Sequence, residues 1–75
     1  MSAKETFGVS VDVYSRAGNL IKTHGEWQFD SFKTAQDSVD DVLFKISHEL
    51  RPGQQFVVRI VKHETVMVSA PQEVS

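Results

Sequence analysis

The chain has 75 residues, no cysteine and a formal net charge of −2. That length holds one domain, burying only about 60% of its unfolded surface, and without cysteine neither disulfides nor thiolate-rich zinc sites supplement its core. The longest apolar runs, such as Val42-Leu43-Phe44, are too short to cross a membrane as a helix. The opening residues lack the apolar core of a signal peptide, so we read the chain as soluble and cytoplasmic. Eight Lys plus Arg against ten Asp plus Glu is too acidic for general affinity to phosphate backbones. It is also too weakly acidic for a whole-surface mimic of DNA.

In chain order, residues 1–5 and 70–75 read as flexible tails around a single α+β domain at 6–69. Phe7, Val9, Val11 and Val13 alternate with Gly8, Ser10, Asp12 and Tyr14, which predicts a strand over 6–14 buried on one face. Residues 15–19 supply a turn, closed by Gly18 in the left-handed conformation. In a second strand over 20–29, Lys22, His24, Glu26 and Gln28 are polar throughout. Ile21, Thr23, Gly25, Trp27 and Phe29 are therefore expected to face the helix, with Trp27 in the core. A bulge at Gly25 would flip the phase before it.

From Phe32 the period changes to 3.6. Phe32, Ala35, Val39, Val42, Leu43, Ile46 and Leu50 define one face of a helix over 31–50, capped by Asp30 or Ser31 and ended by Pro52-Gly53. A third strand opens at Gln55, with Phe56, Val58 and Ile60 inward and Val57, Arg59 and Val61 outward. Residues 65–68 either extend it or fold back as a fourth strand. The expected fold is a two-layer ββαβ(β) arrangement: a small, mostly antiparallel sheet of order 2-1-3, packed against one helix.

No known catalytic motif sits on this frame. His24, His48 and His63 fall on different elements, and neighbours on a helix cannot form a relay from Ser47-His48-Glu49. No catalytic residue, cofactor or metal is expected, and the chain reads as a non-enzyme.

Two surfaces are candidates. Phe44 points roughly 145° from the centre of the apolar stripe, at about 100° per residue. Asp37, Asp40, Asp41 and His48 are its neighbours, an apolar anchor in an acidic rim that suits another protein as partner. The alternative is a nucleic-acid face on the open side of the sheet, built on Tyr14, Lys22, His24 and Arg59. There Asp12 and Glu26 would repel phosphate. A second copy is a further expected partner, because order 2-1-3 leaves strands two and three as edges and Phe44 uncovered.

At the level of topology alone, a hairpin, an acid-bearing helix and a third strand resemble small phage-encoded inhibitors and antitoxin-type domains. Such a resemblance implies an inhibitor or adaptor acting through a helix face or a sheet edge, and fold does not fix function.

Overall fold

A computed structural model describes residues 6–75, so the reading of residues 1–5 as a tail lies outside the described residues. Strand β1 (Phe7–Tyr14) and strand β2 (Leu20–Phe29) form an antiparallel hairpin. Two short helices follow, α1 (Phe32–Asp37) and α2 (Val39–Ile46), then a 3₁₀ turn at Ser47–Glu49. Strand β3 (Gln55–Val61) returns beside β1, and β4 (Thr65–Val68) and β5 (Gln72–Glu73) both pair with β3. The spatial order is β2-β1-β3-β4 with every pairing antiparallel. The fold is α+β, as the change of period predicts.

β1 is the central strand. Val9, Val11 and Val13 are buried with Val58 and Ile60 of β3 and Ala35, Val42 and Ile46 of the helical layer. The core is all small aliphatic, and of five Phe, one Tyr and one Trp none is fully buried. Phe7, Phe29, Val39, Leu43, Leu50 and Phe56 pack around its rim. Phe32, expected inside, remains 36% exposed and meets Phe7 edge-to-face at 6.4 Å.

The helix expected over 31–50 is broken. Ser31 caps it as expected, its Oγ accepting from Thr34 N at 3.1 Å. At Ser38 the backbone N–H is shared between Thr34 O and Ala35 O, and the hydroxyl also donates to Thr34 O. A serine hydroxyl inserted into the ladder competes with the regular i−4 bond and ends one segment. α2 starts there and tightens at Ser47, whose Oγ donates to Phe44 O. Arg51 donates to His48 O before Gly53, at φ 89°, turns the chain.

β2 corrects the expected phase. Directly paired residues share a face, and Val9, Val11 and Val13 are paired with Glu26, His24 and Lys22. The polar set therefore lies on the helix side, and Thr23, Gly25 and Trp27 lie on the outer face. A bulge does interrupt β2, but at Gln28, whose φ is 84°, and not at Gly25. That extra residue restores Phe29 to the helix side, opposite Phe7. A second irregularity, at Ile21, directly follows the turn, where Gly18 adopts φ 89° as its place in the loop predicts.

The C-terminal half of the sheet is also more complete than expected. Residues 65–68 fold back as β4 through the turn at Lys62-His63-Glu64, closed by Lys62 N to Glu64 O. Within the segment read as a tail, Gln72–Glu73 pairs with the start of β3. Ser69 bridges the two short strands, donating to Val58 O and accepting from Val58 N. β3 is thus no longer an edge. β2 still is.

Candidate functional site: the helix face around Phe44

α2 is held to the sheet on two sides. Val42 and Ile46 enter the core, while Lys45 reaches sideways to Glu26 of β2 at 2.9 Å. Glu49 in the 3₁₀ turn accepts from Lys22 at 2.9 Å and lies 3.7 Å from His24 Nε2. The hydrogen bond from Lys22 holds the Glu49 carboxyl below the usual carboxylate range, and the bond to Glu26 raises the Lys45 ammonium above its own. The burial of Val42 and Ile46 sets the rotation of α2 about its axis, and that rotation leaves Phe44 outside.

Phe44 is 80% exposed, more than any other large apolar side chain described. The C-terminal segment that could have covered it pairs with β3 instead. Asp40 and Asp41 precede it by four and three residues and His48 follows by four, so they flank it on one helical face. Asp37, at the end of α1, is exposed as well. Asp40 and Asp41 occupy the first turn of α2, where carboxylates also favour the helix dipole. By helical spacing Asp40, Asp41 and His48 thus neighbour Phe44, whereas Asp37 lies on the preceding helix, across the break at Ser38.

The residues of the alternative nucleic-acid face are not brought together. Tyr14 and Arg59 lie on the outer side of the sheet, whereas Lys22 and His24 lie on the helix side and are turned to Glu49. Arg59 is engaged too. Its Nη2 donates to Asp12 Oδ1 at 3.1 Å and to Ser10 Oγ at 3.2 Å. Its Nε sits 2.9 Å from Asp12 Oδ2 as an ion-pair contact without an aligned hydrogen bond. Thr23 completes the cluster by donating to Asp12. Ser10 and Asp12, expected on a solvated face, are 5% and 8% exposed beneath this network.

What the sequence reasoning missed on this face is Trp27. The indole lies across Gly8, where a Cβ would collide with Cε3 and Cζ3, and remains 54% exposed. At the opposite end of β1, Tyr14, Gly18, Gln55, Val57 and Pro71 line an open concavity of about 260 Å³. The available signal was the charge of β2. Lys22 and Glu26 could satisfy Glu49 and Lys45 only from the helix side, which sends Trp27 outward.

Among the described residues no three His, Asp or Glu side chains cluster closely enough to hold a metal ion. No described helix is long and apolar enough to cross a membrane. No family model matches the chain, and neither the curated proteins nor the solved structures yield a match.

Proposed function

We propose that this chain is a small protein-binding regulator, an inhibitor or adaptor, that engages a basic partner through the Phe44 face of α2. The observation that carries this reading is the 80% exposure of Phe44 on an element whose rotation is set by the burial of Val42 and Ile46. The helix that presents the ring is already folded, so binding does not have to order its backbone. The surrounding acids favour a partner surface with an apolar recess inside a basic rim, speeding and selecting encounter while Phe44 supplies affinity.

The test is a photo-crosslinking side chain at position 44, used in lysate of the native host, followed by affinity measurement with the captured protein. Phe44→Ala is expected to weaken binding by at least about 1 kcal/mol while the fold survives. Asp40→Asn with Asp41→Asn lowers the association rate and its dependence on salt. Unchanged affinity in a folded Phe44→Ala protein removes the reading.

A further inference from the structure

The outer face of the sheet, opposite the helices, is built to meet itself. Leu20, Trp27 and Val68, all more than half exposed, lie on it by register or alternation, and Ile21 and Val66 adjoin it at register shifts of β2 and β4. Among the described residues, the other exposed large hydrophobics, Phe32 and Phe44, belong to the helical layer. So dense a display of apolar side chains on one side of a small domain marks an interaction surface.

Two observations identify the occupant. The first is charge. The central residues of this face, Asp12 and Arg59, neutralise each other within the chain. At the centre of the face a second copy therefore meets no like charge, whereas the acidic Phe44 face would repel itself. The second is shape. Trp27 stands over Gly8 at one end of β1, and the concavity beside Tyr14 lies at the other, a separation of about 20 Å at 3.3 Å per residue. A twofold axis running across the strands reverses one sheet over the other and lays each Trp27 over the concavity of the second copy. A half-exposed ring laid over the Gly8 backbone and a recess of about 260 Å³, at opposite ends of one strand, are self-complementary under that operation.

We infer that the chain forms a C₂ dimer by packing its outer sheet faces together, with each Trp27 seated against Tyr14, Val57 and Pro71 of the second copy. The result is a four-layer assembly, helices outside and two sheets about 10 Å apart inside. Both Phe44 faces remain on the outside. The inference is independent of the proposed partner site, which lies on the other layer.

Sedimentation equilibrium of the whole chain tests it, with Trp27 emission followed on dilution. The expected result is a dimer at several hundred micromolar, with emission moving to the red as it dissociates. Trp27→Ala and Val57→Lys, each checked for folding by circular dichroism, should raise the dissociation constant at least about tenfold. Phe44→Ala should leave it unchanged. A wild-type chain that sediments as a monomer at that concentration overturns the inference, and so does a dimer that both outer-face variants leave intact. Dissociation caused by Phe44→Ala alone overturns it as well, by moving the contact to the helices.

Discussion

Phe44 and Trp27 are both large, aromatic and exposed, yet only Phe44 is legible as such from the sequence. Its position follows from the helical period around it, because Val42 and Ile46 enter the core and exclude it. Phe44→Ala should therefore change stability by no more than about 0.5 kcal/mol, whereas Ile60→Ala should cost about 2–5 kcal/mol. Thermal melts that rank these two the other way would refute the packing described. Trp27 depends on its neighbour across the sheet: its ring needs the space that Gly8 leaves empty. Gly8→Val should lift the indole off the sheet, redden its emission and destabilise by about 1–3 kcal/mol. Gly53 combines φ 89° with the Arg16 guanidinium packed where a Cβ would go, while Gly18 has the same φ and open space. Gly53→Ala should be the more damaging of the two, and denaturant midpoints would show it.

At the scale of elements, alternation fixes β1 and β3 because each carries only apolar residues on its helix side. β2 carries no such majority. Its helix side is a row of ion-pair partners, Lys22 and Glu26, and its phase depends on a bulge at Gln28 that has no glycine to announce it. The break at Ser38 was hidden for a similar reason, since a serine inside a periodic run is compatible with a continuous helix. The same ion pairs give the contact between β2 and the helical layer a pH dependence. The Glu49 carboxyl titrates lower in the folded chain than in the unfolded one, so its stabilisation is present above the unfolded carboxylate pKa and fades as pH falls through the folded value. The Lys45 ammonium titrates higher when folded, so its contribution holds below the unfolded lysine pKa and is lost as pH rises through the folded value. Glu49→Gln should flatten the acid limb of a stability–pH profile and leave the alkaline limb in place. Both contributions shrink in high salt because the pairs are half-exposed.

For the whole molecule, the sequence conveys the α+β class and the neighbourhood of β1, while the finish of the β3 edge is conveyed only by three-dimensional pairing. β4, Ser69 and β5 together satisfy the length of that strand, and β5 has two residues and no alternation to read. Deleting residues 70–75 should uncover the start of β3 and increase aggregation on heating, measurable by light scattering. Intact solubility of that truncated chain would show the pairing to be dispensable. The central position of β1 also has a kinetic meaning. The β1–β2 and β3–β4 hairpins close over short loops, but the seam joining them pairs Gly8 with Val61 and Tyr14 with Gln55, so every residue between must be gathered before it forms. Loop-closure entropy is spent there ahead of most of the reward. Zipping of β1 onto β3 is then the slow event: Val11→Ala should retard refolding in stopped-flow traces, while Met67→Ala on β4 should chiefly hasten unfolding.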